Sequence, residues 1–365
     1  MERNRQATKV LKKYMENWIP EMRYRGGEDF NAWQETSRKK LKELLGIDRI
    51  TPCVDLMEIE YERKNPGFRE IRFTFQSEEG YFVPCHLLIP TESRERQPEK
   101  RKDQSGKQNS IEQGFNAIEH AAPVMICLQG HSSGMHISLN RPKEEGDEEF
   151  LQVKDRAFGL RTIENGFAAL VMEQRFMGEC GGAGKEAGCA AKGSALPELL
   201  MGRTAIGERV WDVQRAIDVL EKYFADRVDT THIMCMGSSG GGTATYYAAC
   251  LEKRIGLALA SCSVCTYKDS IIPIRHCGCN YVPGIARYFD MGDLGGMIAP
   301  RRLVVANGKD DPIFPLKGAL ECDEIIRKLY QTARAEANYK FVIMPGEHQF
   351  FADLSYQAVH ELLAE

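Results

Sequence analysis

The sequence predicts an α/β fold with a mostly parallel central sheet and helices on both faces. Six short apolar runs alternate with segments of helical periodicity, and continuous apolar strands of this kind are typical of parallel sheets that are buried on both faces. With 365 residues, the chain is long enough to bury a sizeable core. The predicted strands cover residues 123–128, 167–172, 233–236, 255–260, 303–306 and 339–344.

The N-terminal part has a different organisation. Residues 7–18 and 34–46 carry apolar residues at helical spacing. We expect residues 1–50 to form a helical extension that caps the main domain, and residues 51–365 to form that domain.

The main domain begins with alternating apolar and polar residues. This alternation predicts two antiparallel strands, 68–75 and 81–89, at one edge of the sheet. A helix with one apolar face is predicted over 210–224, directly before the strand at 233–236.

Two stretches of the main domain have loop composition. Residues 92–116 are charged, poor in aliphatic side chains and without periodicity, which predicts a solvated insertion. Residues 178–202 are rich in glycine and long for an α/β connection. They are either a lid over a site at the strand ends or an ordinary surface loop.

Charge and cysteine usage narrow the class of protein. Lys and Arg total 48 against 52 for Asp and Glu, and a net charge of −4 does not favour a nucleic-acid or anionic membrane partner. The charged N-terminus and the lack of a long apolar stretch predict a soluble cytoplasmic protein. We expect the 12 cysteines to be reduced thiols and the ligand to be a small molecule. The sequence does not indicate the oligomeric state.

The segment 231–250 is the strongest chemical signal. It reads as a strand, a sharp turn with the sequence Gly-Ser-Ser-Gly-Gly and a helix, which is the pattern of a nucleophile elbow with Ser239 as nucleophile. A second match, at 130–134, places Ser132 in the same motif but is not followed by an obvious helix. Ser238 is disfavoured because Met236 stands where the turn needs a glycine.

A serine nucleophile needs a base and an acid, which in this architecture follow in the order Ser, acid, His. Beyond the elbow the histidines are His276, His348 and His360. His348 follows the predicted strand 339–344 and is the expected base. The acid should follow the strand 303–306, where the adjacent Asp310 and Asp311 are both candidates.

A family resemblance chooses between these two aspartates. Residues 308–315, GKDDPIFP, resemble the G-x-x-D-x-x-x-P segment of α/β-hydrolases, and this resemblance implies that Asp311 is the acid. From about residue 51 to the C-terminus, the chain is similar to the acetyl xylan esterase-like, dienelactone hydrolase-related branch of that fold. Further segments that carry the likeness are 201–212, 276–281, 299–301 and 346–348.

The resemblance implies a serine esterase that cleaves a short-acyl or acetyl ester without a cofactor or metal. The oxyanion would be bound by the backbone N–H groups of Gly240 and His131. Glu173, Arg175 and His276 are candidate substrate-binding residues. For Glu173 and Arg175, a mutual pairing that holds their loop is an equal alternative.

Two other functions remain open. One is a peptidase or amidase of the prolyl-oligopeptidase type, whose elbow also continues in glycines. The other is a catalytically silent binding protein that has kept the fold. Cys262, Cys265, Cys277 and Cys279 could be taken for zinc ligands, but their spacing is unusual for a zinc site and we expect none.

Overall fold

The structure is a computed structural model that describes residues 6–91, 121–153, 155–181 and 195–364. The predicted insertion at 92–116 lies outside these residues, as does the centre of the predicted lid at 178–202. Within the described part, a single nine-stranded sheet has the order β1-β2-β3-β5-β4-β6-β7-β8-β9.

The first three strands run antiparallel to their neighbours, and β3 pairs antiparallel with β5. All pairs from β5 through β4 and β6 to β9 are parallel. The bounds of the strands are β1 Met57–Asn65, β2 Phe68–Glu78, β3 Tyr81–Pro90, β4 Pro123–Leu128, β5 Ala168–Met172, β6 Asp229–Ser238, β7 Ile255–Ser261, β8 Arg302–Gly308 and β9 Tyr339–Met344.

Helices precede the first strand, connect later strands and follow the last one. Their bounds are α1 Ala7–Met15, α2 Phe30–Leu45, α3 Asp147–Gln152, α4 Phe158–Glu164, α5 Ala205–Tyr223, α6 Gly240–Leu251, α7 Ile285–Tyr288, α8 Met291–Leu294, α9 Leu316–Thr332 and α10 Ala352–Ala364. In the described part of the chain, no helix combines the length and the apolar character needed to span a membrane.

Hydrophobic side chains pack on both faces of the sheet. In β4, Val124, Ile126 and Leu128 belong to one buried cluster, and Met125 and Cys127 belong to a second. Residues of α2, α5, α6 and α9 contribute to the first cluster, and residues of α4 and α10 to the second. The predicted mixed α/β fold with helices on both faces of a mostly parallel sheet is therefore confirmed.

The six predicted parallel strands are all present, but β1 was not singled out from the sequence. Five of its nine residues are charged, and most of its residues are exposed because it is the edge strand. Tertiary pairing with β2 holds this strand, although its own apolar pattern is weak.

The N-terminal helices differ in how they pack. Helix α1 buries no residue, whereas Leu41 and Leu45 of α2 belong to the same hydrophobic cluster as the sheet. Helix α2 begins at residue 30, four residues before its predicted start, because the Asp29 side chain accepts a hydrogen bond from Ala32 N–H and caps it.

Candidate active site

Ser239 lies at the sharp turn between β6 and α6. Its backbone angles, φ 55° and ψ −122°, lie outside the regions that residues other than glycine usually adopt. Its backbone N–H donates to Ser261 O at 2.9 Å, which fixes the turn against the end of β7. The turn therefore projects the Ser239 side chain beyond the carboxyl end of the sheet.

Two glycines make this turn sterically possible. A Cβ atom on Gly237 would lie 2.4 Å from the Gly241 backbone, and a Cβ atom on Gly241 would lie 2.0 Å from Leu128 O. Neither distance leaves room for a side chain, so β4, β6 and α6 approach as closely as they do because both positions are glycine. This is the physical reason for the G-x-S-x-G spacing around Ser239.

The predicted triad residues meet at this end of the sheet. Ser239 Oγ lies 2.8 Å from His348 Nε2, and His348 Nδ1 lies 2.8 Å from Asp311 Oδ2. In this arrangement the serine hydroxyl donates to Nε2, and the Nδ1–H group donates to the carboxylate. Ser239 is 109 residues from His348 in sequence, and Asp311 is 37 residues from it. The fold brings the three side chains together into one continuous series of hydrogen bonds.

The two adjacent aspartates occupy different environments. Asp311 is buried, and its Oδ1 accepts hydrogen bonds from the N–H groups of Ile313 at 2.8 Å and Phe314 at 2.9 Å. These bonds orient the carboxylate so that Oδ2 faces the imidazole. Asp310 is exposed, and its described hydrogen bond is a backbone contact from its N–H to Gly346 O.

Aromatic contacts support the imidazole. The Phe314 ring stacks on His348 with 5.8 Å between ring centroids, and His276 meets the same phenylalanine edge-on at 5.3 Å. Sequence reasoning did not single out Phe314, although it belongs to the same segment as Asp311.

The loop after β4 comes close to the nucleophile. A Cβ atom on Gly130 would lie 3.2 Å from Ser239 Cβ, and one on Gly240 would lie 2.7 Å from the His131 ring. Residues 130 and 131 are therefore in contact with the turn that carries Ser239. This proximity is what an oxyanion site built from the His131 and Gly240 N–H groups requires.

Glu173 lies beneath this loop. It is fully buried, its Oε1 accepts from Gln129 Nε2 at 2.6 Å, and its Oε2 accepts from Met135 N–H at 3.0 Å. Burial raises the pKa of Glu173 to about 7, and the hydrogen bonds from backbone N–H groups oppose that shift. The structure thus places this carboxyl under the loop and not on the wall of the pocket.

Arg175 takes part in a buried ionic network. Its guanidinium donates to Asp212 at 2.9 and 3.0 Å, to Glu78 at 3.0 Å and to Glu208 at 3.1 Å. The group also lies 4.1 Å from the centre of the Tyr81 ring. These contacts tie β5 to β2 and α5, so that Arg175 does not pair with Glu173.

His276 lies at the edge of the site. Its Nε2 is 3.1 Å from Ser270 Oγ. Burial lowers the pKa of His276 to about 4, with smaller contributions from the nearby His348 and His131. An imidazole with this pKa is neutral at pH 7 and adds no charge to the site.

The four cysteines discussed above do not gather into one group within the described ranges. Cys277 and Cys279 lie near His131, with their three ligand atoms within 4.8 Å of one another, and His131 Nε2 is 3.3 Å from Cys279 Sγ. Cys262 lies near Asp311 and His348 instead. Burial raises the pKa of Cys262 to about 12, which keeps it a thiol at neutral pH.

A pocket opens next to the nucleophile. It contains about 420 Å³ of space free of protein atoms, part of it open to solvent. Sequence reasoning gave no indication of Phe150, Arg156 or Phe158 in its wall, since residues 147–164 show no chemical motif. The lining residues are Gln129, Gly130, His131, Ser132, Ile137, Phe150, Arg156, Phe158, Ser238, Ser239 and His348.

Comparison with known proteins gives matches in sequence and in structure, although no protein-family model matches the chain. The protein named "Putative hydrolase YtaP" of Bacillus subtilis (strain 168) is 25% identical over 244 residues, or 66% of this chain and 78% of that protein. A "putative acetyl xylan esterase" of Bacteroides fragilis NCTC 9343 superposes with a TM-score of 0.71 at 14% identity, over 94% of this chain and 83% of that one.

A glucuronoyl esterase of Solibacter usitatus superposes with a TM-score of 0.61 at 15% identity, over 95% of this chain and 96% of that one. The two structural matches extend over 94% and 95% of this chain. Together with the strand order and the turn at Ser239, they show that this chain has the α/β-hydrolase fold.

Proposed function

We propose that this protein is a carboxylic ester hydrolase in which Ser239 is the nucleophile, His348 the general base and Asp311 the residue that orients the base. One observation carries the proposal: Ser239 Oγ, the His348 imidazole and the Asp311 carboxylate are linked by two hydrogen bonds of 2.8 Å. This is the arrangement that activates a serine hydroxyl for attack on an acyl carbon.

Acylation would begin when Ser239 Oγ attacks the ester carbonyl and its proton passes to His348 Nε2. The imidazolium that forms is stabilised by Asp311, whose second oxygen is already held by two backbone N–H groups. His348 then returns the proton to the departing alcohol, and an acyl-enzyme remains on Ser239.

The tetrahedral intermediate needs donors for its negative oxygen. The N–H groups of Gly240 and His131 are the proposed donors, each worth about 3 kcal/mol of transition-state stabilisation. Support comes from the contact between the His131 ring and the Gly240 position. Deacylation repeats the sequence with water as the nucleophile, again deprotonated by His348.

A small ester is the proposed substrate, of the short-acyl or acetyl type. The pocket opens next to Ser239 and His348, and apolar side chains such as Ile137 and Phe158 form part of its wall. Two of the proteins with similar structures are described as a "putative acetyl xylan esterase" and a glucuronoyl esterase, which favours ester over amide hydrolysis.

Hydrolysis of 4-nitrophenyl acetate, of longer acyl esters and of a prolyl 4-nitroanilide by the purified protein tests this proposal. We expect the acetate to be turned over fastest and Ser239→Ala to abolish that turnover. Ser132→Ala removes the serine of the second motif, which lines the pocket, and should keep measurable turnover. Thr332→Ala, which removes an exposed hydroxyl at the end of α9, is the control and should keep the parent turnover. Ester turnover that survives Ser239→Ala would refute the nucleophile, and anilide turnover above ester turnover would favour a peptidase.

A further inference from the structure

Arg156 contributes a positive charge to the wall of the pocket that contains Ser239 and His348. It lies between α3 and α4, and its guanidinium carbon is 4.3 Å from the centre of the Phe150 ring. Stacking on an aromatic ring restricts the side chain to one plane while leaving the edges of the guanidinium free to donate hydrogen bonds.

Nothing in the described ranges pairs with this guanidinium. The Arg156 guanidinium makes no hydrogen bond or ion pair with any described residue, and its Nε is buried without an acceptor. Desolvation by burial lowers the pKa of Arg156, because no carboxylate among the described residues offsets the cost. Arg156 as a whole is half-buried, but polar atoms that are themselves buried normally have a hydrogen-bond partner, so its unpartnered Nε calls for an explanation.

Four other described arginines also have a buried nitrogen without a hydrogen-bond partner, but each of their guanidinium groups is held by a partner elsewhere. Arg161, Arg203 and Arg215 form ion pairs with carboxylates. Arg209 donates two hydrogen bonds to Arg175 O. Among the described arginines of this kind, Arg156 therefore stands apart, and it is the one that faces the pocket.

The pocket wall also lacks negative charge. No aspartate or glutamate lines the pocket in the part of the chain that the structure describes. A single unpaired cation in such a wall creates a positive potential that attracts anions. The partner missing from the protein can therefore be supplied by a ligand.

We propose that Arg156 binds an anionic group of the ester that Ser239 attacks, so that the substrates of this enzyme are esters that carry a carboxylate. The proposal rests on the proposed esterase function and adds the charge of the substrate to it. The planar fork of a guanidinium matches the two oxygens of a carboxylate, and a bidentate pair of this kind also fixes orientation. The uncharged part of the substrate would contact Ile137 and Phe158.

Two pairs of esters test this, each pair differing in charge at nearly constant shape. For the acyl part, the mono(4-nitrophenyl) ester of adipic acid is compared with 4-nitrophenyl hexanoate. For the alcohol part, 4-acetoxybenzoate is compared with 4-acetoxybenzamide. The quantity measured is the ratio of kcat/KM for the charged ester to kcat/KM for the neutral one.

In the parent enzyme, this ratio should exceed one for at least one pair. Arg156→Gln should lower it by about 10- to 100-fold, mainly through KM, because a charge-assisted hydrogen-bonded pair is lost. Arg156→Lys should give an intermediate ratio, since it keeps the charge but loses the fork. Arg287→Gln, which removes an exposed arginine paired with Glu21, is the control and should keep the parent ratio.

A ratio that is the same in Arg156→Gln and the parent for both pairs would overturn the proposal and leave the esterase function standing. If the parent hydrolyses none of the four esters, the proposed esterase function is refuted. The role of Arg156 is then tested by measuring ligand binding instead of turnover. The adipate monoester should then bind to Ser239→Ala in saturation-transfer NMR and lose binding in the double variant with Arg156→Gln. Equal binding by both variants would also overturn the proposal.

Discussion

Glu173 Oε1 accepts a 2.6 Å hydrogen bond from Gln129 Nε2, and this contact ties the end of β5 to the loop beside the nucleophile. Glu173 Oε2 accepts from Met135 N–H at the other end of the same loop. One buried carboxylate therefore holds both ends of the segment 129–135, which includes the proposed oxyanion donor His131. Glu173 is in this sense a positioning residue for the proposed reaction.

Replacing Glu173 with glutamine should change how stability depends on pH. Burial raises the pKa of this carboxyl from an ordinary value of 4.5 to about 7, so the folded protein holds the proton more tightly than the unfolded chain does. The unfolded chain therefore ionises first, and the free energy of unfolding falls by about 3 kcal/mol between about pH 4.5 and pH 7. Urea denaturation of the parent and of Glu173→Gln at several pH values measures the effect.

The difference in unfolding free energy between parent and Glu173→Gln should shift in favour of the variant as the pH rises through this window. Glu336→Gln, at an exposed position, should follow the parent at every pH. Parallel curves for the parent and Glu173→Gln would mean that the carboxyl titrates alike in the folded and unfolded states.

Asp311 and Asp310 provide a matched pair for testing the acid. Asp311→Asn should lower ester kcat by about 10⁴-fold, the size of the effect seen when the acid of a Ser-His-Asp triad becomes an amide and the imidazole is left in the wrong tautomer. Asp310→Asn should change kcat less than twofold, because that side chain is exposed and does not contact His348. Steady-state kinetics with 4-nitrophenyl acetate would distinguish the two, and the opposite ranking would transfer the acid role to Asp310.

The approach of β4 to the turn can be tested at Gly241. A Cβ atom at this position would lie 2.0 Å from Leu128 O, a backbone atom that cannot move away by rotating a side chain. Gly241→Ala should therefore lower the free energy of unfolding by about 3 kcal/mol or more, as overpacked sites do. Gly256→Ala is the control, since the nearest atom to its Cβ would be Ile233 O at 3.7 Å. Equal stability of the two variants would show that the turn tolerates a side chain at 241.

The sequence predicted the parallel strands because burial on both faces leaves continuous apolar runs such as 123–128 and 339–344. It also indicated Ser239 and His348, since each of these residues follows a parallel strand and the carboxyl ends of parallel strands lie at the same edge of the sheet. The roles of Glu173 and Arg175 were not accessible in this way. Their partners depend on how β5 is placed between β3 and β4, and sequence spacing does not reveal that placement.

The same limitation applies to Arg156. An arginine between two short helices is typical of an exposed surface position, and its unpaired state becomes visible only when the neighbouring side chains are placed. By contrast, the choice of Asp311 over Asp310 needed a family resemblance, because adjacent residues cannot be separated by strand position alone. The buried environment of Asp311 supplies an independent physical reason for the same choice.

Arg175→Met should destabilise the protein without weakening substrate binding. The guanidinium is shared by Asp212, Glu208 and Glu78. Arg203 still pairs with Glu78 and Glu208 in the variant, but the buried Asp212 is left without a counter-ion among the described residues. Breaking a buried ion pair in this way costs about 3–5 kcal/mol. Because Arg175 does not line the pocket with Ser239, KM for a small neutral ester should stay within twofold of the parent value.

Thermal denaturation and steady-state kinetics on the same preparation of Arg175→Met separate the two roles. Arg287→Met, which breaks the exposed pair with Glu21, should leave the melting temperature close to that of the parent and serves as the control for a lost surface charge. A normal melting temperature combined with a KM raised tenfold or more would assign Arg175 to substrate binding. The network with Asp212 predicts the opposite: a lowered melting temperature with kinetics close to those of the parent at temperatures where the variant is folded.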